Sequence, residues 1–264
     1  MNFEKLTVTE IKTLLNNLNY ENINVDNICS ELFLDNRSSV RNLASQFKAK
    51  YEKYISTQKE IEEFYNFDRQ YILNNKYVIA GCDEVGRGPL AGPIVCASVV
   101  LDLYNDKNMI YNINDSKKIK SREVKKNLSD LIKDKAKFYE IVEISNEEID
   151  DIGVGVANQK GLKNSIENLN TDVDLVLSDG YLVKGLNMKN ISVIKGDTKS
   201  ASIMCASIIA KVYRDELMFK YHEEFPEYDF INNVGYGTKS HIAAIEKYGT
   251  CKYHRMSFLK TILK

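Results

Sequence analysis

No stretch of this sequence approaches the ~18 uninterrupted apolar residues that a membrane span needs, and its start, MNFEKLTVTEIK, has no apolar signal-peptide core. A membrane-spanning or exported protein is therefore not expected, and the cytoplasm is the expected compartment. Cysteine is scarce: Cys29, Cys82, Cys96, Cys205 and Cys251 are odd in number, widely spaced and mostly set in apolar runs. They offer neither a disulfide framework nor a zinc site and read as buried, reduced thiols. An excess of charge is lacking too, with 36 Lys and Arg against 37 Asp and Glu, so docking to nucleic acid must rest on a local patch. From Val234 onward six basic residues (Lys239, Lys247, Lys252, Arg255, Lys260, Lys264) face only Glu246, with Tyr236, His241, Tyr248, Tyr253 and His254 interleaved. Taken alone, that stretch reads as a solvated tail.

What is present is a globular composition, 44% hydrophobic and 28% charged over 264 residues, enough for one large domain or one large and one small. Residues 1–72 read as a polar helical N-terminal extension, with Leu6, Ile11, Leu14, Leu15 and Leu18, then Ile55, Ile61 and Phe64, at helical intervals. Residues 73–264 change character. Tyr77–Cys82 and Ile94–Leu101 are apolar strands joined by a Gly and Pro turn, 137–144 alternates like a strand, and 173–177 and 191–194 are two more. Helices are expected over 121–135, 154–169, 200–221 and 239–248. Strands with helices between them make an α/β layered architecture.

Carboxylates stand at the ends of these elements. Asp83 and Glu84 follow directly on an apolar strand, where an uncompensated charge against the core is costly. Asp179 repeats the pattern after Leu175-Val176-Leu177-Ser178, although Asp-Gly is also a common turn. Asp215 lies seven residues after Ile208 and three after Val212, on the apolar stripe of its helix, with Lys211 at salt-bridge spacing. Acids from separate elements without matching His or Cys suit magnesium or manganese. Two such ions activate a water and stabilise the departing oxygen of a phosphodiester. The loop Gly86-Arg87-Gly88 superficially matches a dinucleotide fingerprint, but a strand follows it where that motif requires a helix. Glycines around Arg87 instead permit close backbone approach to a sugar or phosphate.

The run Asp83-Glu84-Val85-Gly86-Arg87-Gly88-Pro89-Leu90-Ala91-Gly92-Pro93 resembles the opening signature of the bacterial ribonuclease HII family, a type 2 RNase H. Matching blocks continue in the family's order: Asn114-Asp115-Ser116-Lys117-Lys118, Ser178-Asp179-Gly180, Lys195 to Ser200, Ala206 to Val212, Arg214-Asp215, Gly235 to Thr238, His241, and His254-Arg255 with Ser257-Phe258. The resemblance implies an RNase H-like fold, a mixed five-stranded sheet flanked by helices. It implies an endonuclease that cuts RNA in RNA·DNA hybrids and incises 5′ of single ribonucleotides in duplex DNA, by two-metal-ion catalysis with Mn2+ or Mg2+, leaving 3′-hydroxyl and 5′-phosphate ends. Carried over residue by residue, Asp83, Glu84, Asp179 and Asp215 are the metal-binding catalytic acids. Gly86, Arg87 and Gly88 read the ribose 2′-hydroxyl, and Lys117 contacts the phosphate. The family's junction tyrosine aligns with either Tyr236 or Tyr253. Arg87 favours type HII over type HIII, and Ser178 stands where the family usually has an apolar residue. The expected partners are the two nucleic-acid substrates, and the expected state is a monomer without an obligate protein partner. The competing readings are a catalytically silent nucleic-acid binder, which gains nothing from concentrating acids beside phosphates, and a metal-dependent phosphatase or nuclease acting on DNA alone.

Overall fold

The computed structural model describes residues 3–111, 113 and 121–260. Its contacts divide the chain into a unit of residues Met1–Glu60 and a larger one of Ile61–Lys264. The small unit is helical, with α1 (Val8–Asn16), α2 (Val25–Phe33) and the first part of α3 (Ser38–Arg69). α1 begins where Thr7 and Glu10 form a reciprocal capping box. Ile11, Leu15, Val25, Cys29, Leu32, Val40, Ala44 and Phe47 close a core of its own.

The large unit is built on a five-stranded sheet in the order β3-β2-β1-β4-β5. The strands are β1 (Ile79–Val85), β2 (Ile94–Val100), β3 (Phe138–Ile144), β4 (Leu175–Asp179) and β5 (Lys189–Val193). β1 and β3 flank β2 antiparallel, whereas β4 and β5 continue the sheet in parallel from β1, so the sheet is mixed. Helices α4 (Arg122–Lys135), α5 (Asn146–Ile152), α6 (Val154–Glu167), α7 (Ala201–Glu224), α8 (Phe230–Asn233), α9 (Lys239–Tyr248) and α10 (Met256–Leu259) complete the unit. The α/β layering and the mixed five-stranded sheet expected of the sequence are both present.

The sheet is covered on both faces, which explains why β2 is buried throughout and apolar at every position but Ser98, whose hydroxyl is bonded to that of Ser165. Along β1 the side chains alternate: Ile79 joins the core with Ile203, Ala206 and Ile209 of α7, and Cys82 joins the opposite core with Leu162 and Ile166 of α6. Gly81 points at α7, and a Cβ there would lie 2.3 Å from the Ile203 backbone nitrogen, so this helix rides directly on the strand. One expectation shifts. β1 does not stop before the two acids but runs through them, pairing Asp83 with Ala97 and Glu84 with Cys96. The ladder to β2 continues to Val85 and carries polar residues along with it.

Asp68, on the last turns of α3, is fully buried and accepts hydrogen bonds from the Ser202 backbone N–H at 2.9 Å and its hydroxyl at 2.8 Å. It lies at the N-terminus of α7, where a negative charge meets the positive end of the helix dipole. Burial nevertheless raises its carboxyl to about 6, against the pull of the serine hydrogen bonds. The folded chain therefore holds a proton that the unfolded chain releases near pH 4. This contribution to stability is full below about pH 4 and lost as pH rises through about 6, amounting to about 3 kcal/mol. Chemical unfolding of the wild type and of Asp68→Asn at pH 4 and pH 7 tests this: the gap between them should change by that amount, and parallel pH curves would contradict it.

Candidate active site

Three acids meet at the ends of β1 and β4. Cys82 lies opposite Ser178 in the parallel β1–β4 ladder. The next residues, Asp83 and Asp179, thus stand side by side on the face toward α7. Asp83 is 7% exposed. Its carboxylate accepts from the Glu84 backbone N–H at 2.8 Å and from the Ser207 hydroxyl of α7. Burial, reinforced by the charges of Glu84 and Asp179, pushes its carboxyl up to about 7. Asp179 accepts from the Gly196 backbone N–H at 2.6 Å, which ties β4 to the loop after β5.

Glu84, one residue along the same strand, faces the α6 side. Burial raises its carboxyl. Its Oε1 accepts from the Tyr181 hydroxyl, which in turn accepts from the Asn158 amide of α6. Arg87 reaches the same oxygen at 3.5 Å and lies 5.3 Å from the Tyr181 ring centroid.

Asp215 is set apart from these three. Ser207, which contacts Asp83, precedes it by eight residues on α7, about 12 Å along the helix axis. Asp215 pairs with Lys211 and lines a separate hollow with Arg122, Lys125 and Glu216. The acid that shares a cavity with Glu84 is Asp197, in a cavity of about 260 Å³ also lined by Lys125, Ser207 and Lys211. Reading the sequence for acids on apolar stripes passed over Asp197. Its signal was Lys195-Gly196-Asp197-Thr198, a glycine turn directly after an apolar strand, the same context as Asp179-Gly180.

The loop after β1 is held from below. Arg214 and Arg255 are both fully buried. Arg214 donates to the carbonyls of Pro93, Ala91 and Val234 at 2.9, 3.0 and 2.9 Å. Arg255 donates to those of Gly92, Arg87 and Gly86 at 2.9, 3.0 and 2.6 Å. Burial, with Arg214 close by, pulls Arg255 down to about 9, which leaves it charged at neutral pH. Gly86 has φ +92°, and a Cβ there would meet the Arg214 Nε at 2.3 Å, so only glycine fits. Gly86 is buried while Arg87 and Gly88 are exposed.

The stretch from Val234 is a divided surface. His241, His254 and Arg255 are buried, whereas Lys239, Lys247, Lys252 and Lys260 are exposed. The histidines form a one-way chain. The Cys251 N–H donates to His254 Nδ1, so His254 donates from Nε2 to His241 Nε2, and His241 donates from Nδ1 to the Tyr236 carbonyl. Of the two candidate tyrosines, Tyr236 is 44% exposed, with its ring 4.0 Å from where a Gly88 Cβ would stand. Tyr253 is stacked on Tyr221 at 3.6 Å and donates to Glu224. Lys117 lies outside the described residues.

The donor chemistry of the acids fits a hard divalent cation: oxygen ligands crowded together, with carboxyls raised by burial and by one another. Among the described residues no three His, Cys, Asp or Glu side chains stand close enough together, as placed, to hold a metal ion. No helix among them is long and apolar enough to cross a membrane.

Comparison with known proteins agrees with this site. The ribonuclease HII family model matches residues 80–261, and that of the ribonuclease HII N-terminal domain matches 7–72. Ribonuclease HII of Clostridium novyi is 50% identical over 268 residues, covering 100% of this chain and 99% of the relative. That of Clostridium beijerinckii is 47% identical over 263 residues, covering 98% and 96%. The crystal structure of ribonuclease H2 from Pyrococcus horikoshii superposes with a TM-score of 0.61 at 22% identity, over 70% of this chain and 96% of the other, which shows the fold. A five-stranded RNase H-like sheet, the motifs in order and relatives matched along nearly their whole length give one conclusion: the chain belongs to the ribonuclease HII family of metal-dependent endonucleases.

Proposed function

We propose that this ribonuclease H cuts the RNA strand of RNA·DNA hybrids and incises 5′ of single ribonucleotides embedded in duplex DNA, leaving 3′-hydroxyl and 5′-phosphate ends. The observation that carries the reading is the meeting, at one end of the sheet, of Asp83, Glu84 and Asp179 with the rigidly held Gly86-Arg87-Gly88 loop. Acids alone would serve any phosphodiester. A buttressed loop with an exposed arginine beside them supplies a means of telling ribose from deoxyribose.

Asp83, Glu84 and Asp179 would hold two magnesium or manganese ions, with Asp197 as the fourth acid from the shared cavity. When bound, the ions activate the attacking water and stabilise the leaving oxygen. The chain's own groups do the rest. Ser207 and the Glu84 N–H orient the Asp83 carboxylate, and the Gly196 N–H orients Asp179. Asp215 acts through Lys211, holding its ammonium beside the cavity that Glu84 lines, where it meets phosphate charge. Lys117 adds a second phosphate contact. Gly86, Arg87 and Gly88 contact the 2′-hydroxyl. Tyr236 is the junction tyrosine, because Tyr253 is committed to Tyr221 and Glu224. The enzyme works in the cytoplasm as a monomer, without an obligate protein partner.

A labelled DNA duplex with one ribonucleotide should be cut once, 5′ of the ribonucleotide, with magnesium or manganese and not with chelator. Cutting of an all-DNA control would overturn the reading. Asp83→Asn and Asp179→Asn should each lower turnover at least about 100-fold with the melting temperature kept, since each swap removes charge but almost no volume. Asp197→Asn should resemble them, while Asp215→Asn should mainly raise KM; the reverse pattern would exchange the roles of these two acids. Arg87→Ala should reduce discrimination between ribo- and deoxyribonucleotide about 10- to 100-fold, the worth of a charged hydrogen bond, and unchanged discrimination would move the reading role elsewhere.

A further inference from the structure

We propose that Tyr181 is a positioning residue that joins the cation-binding end of the site to its ribose-reading end, through its hydroxyl to Glu84 and its ring to Arg87. The inference rests on the reading of Glu84 as a cation ligand and Arg87 as the ribose reader.

Tyr181 follows Asp179-Gly180 directly at the end of β4, and the chain reverses there so that the phenol reaches across to β1. The direction of its hydrogen bonds is settled by chemistry. A carboxylate only accepts, so the Tyr181 hydroxyl donates to Glu84 Oε1. Its lone pair then accepts a hydrogen bond from the Asn158 amide N–H, which fixes the side-chain orientation of an asparagine only 2% exposed. The chain Asn158–Tyr181–Glu84 therefore runs one way, from α6 outward to the acid. On the other side of the phenol, the Arg87 guanidinium sits 5.3 Å from the ring centroid, within the range of cation–π attraction. Arg87 also approaches Glu84 Oε1, but at 3.5 Å and with its side chain half exposed, so that ion pair contributes little to its placement. The ring is the firmer seat.

Glu84 is the acid most in need of such a hold. Its side chain takes neither the Ser207 nor the Gly196 hydrogen bond that orients Asp83 or Asp179, and its backbone neighbours are ladder partners. With Oε1 held by the tyrosine, the other oxygen is presented for a cation. Tyrosine is not demanded by packing at this position, because Tyr181 is only half-buried and phenylalanine would fill the same volume.

The test separates the hydroxyl from the ring. Tyr181→Phe keeps the ring beside Arg87 and removes the hydrogen bond; Tyr181→Leu removes both. Manganese binding to the full chain without nucleic acid, read by calorimetry, should weaken about three- to tenfold in both variants, less than the full worth of a charge-assisted hydrogen bond because the tyrosine orients the carboxylate without touching the cation. The ratio of kcat/KM for ribonucleotide-containing against all-DNA duplex should fall only in Tyr181→Leu. Melting temperatures show that both variants fold. Unchanged or tighter manganese binding by Tyr181→Phe, or an equal loss of discrimination in the two variants, would overturn the inference. Glu84→Gln is the control for the underlying reading: if it binds manganese and turns over like wild type, the assignment of Glu84 falls; if it loses both while Tyr181→Phe does not, only the role of Tyr181 falls.

Discussion

Two guanidinium groups buried beneath the loop after β1 are the constraint on which this surface depends. Arg214 and Arg255 bring two positive charges into the interior, and a buried charge is costly unless its donors are satisfied. Six backbone carbonyls satisfy them, five from residues 86–93 and one from Val234. The compensation and the architecture are thus the same bonds. A segment rich in glycine and proline has no secondary structure of its own to hold it, yet it is cross-tied to α7 and to the chain before α10. Gly86 and Gly92 are needed for the same reason, because side chains there would occupy the space of the arginines or of Met218.

The acids obey a second constraint, the two-residue period of a strand. Asp83 and Asp179 share a face because β1 and β4 are parallel and in register, so equivalent positions stay level to the strand ends. Glu84, one residue on, must face the other way, and its support comes from α6 and Tyr181, not from α7. The acidic cluster therefore draws on both layers of the fold. Its raised carboxyls reflect an arrangement costly by itself, in which burial and like charge both disfavour ionisation. Such a cluster is stable in its charged form once a cation supplies the opposite charge.

Much of this was legible before any coordinates, but unevenly. Apolar runs marked β1, β2, β4 and β5, since a sheet covered on both faces favours continuous hydrophobicity, and alternation marked β3 at the sheet's edge. Helical periodicity marked α4, α6, α7 and α9, while the short α8 and α10, of four residues each, are below the length at which a period shows. Asp215 satisfied the periodic argument and still lies away from Asp83, because a stripe says which side of a helix a residue occupies and nothing of how far along it stands. Arg255, His241 and His254 read as part of a basic and aromatic tail and proved to be buried; for Arg255 the need comes from carbonyls of a loop more than 150 residues earlier, while the two histidines bond each other and their local backbone.

The sequence by itself determined the family, the order of strands and helices, and that Asp83, Glu84 and Asp179 stand at strand ends, because each is written in local terms: hydrophobic period, a polar residue ending an apolar run, a fixed string of glycines around an arginine. The tertiary structure alone decided which groups meet. Strand register set Asp83 beside Asp179, strand alternation turned Glu84 toward Tyr181, and long-range burial made Arg255 a buttress and left Arg87 exposed. Stacking on Tyr221 withdrew Tyr253 and left Tyr236 by Gly88. The physical reason is that these pairings join residues tens to well over a hundred positions apart, where chain entropy keeps them separated until the whole sheet and its two helical layers close around them.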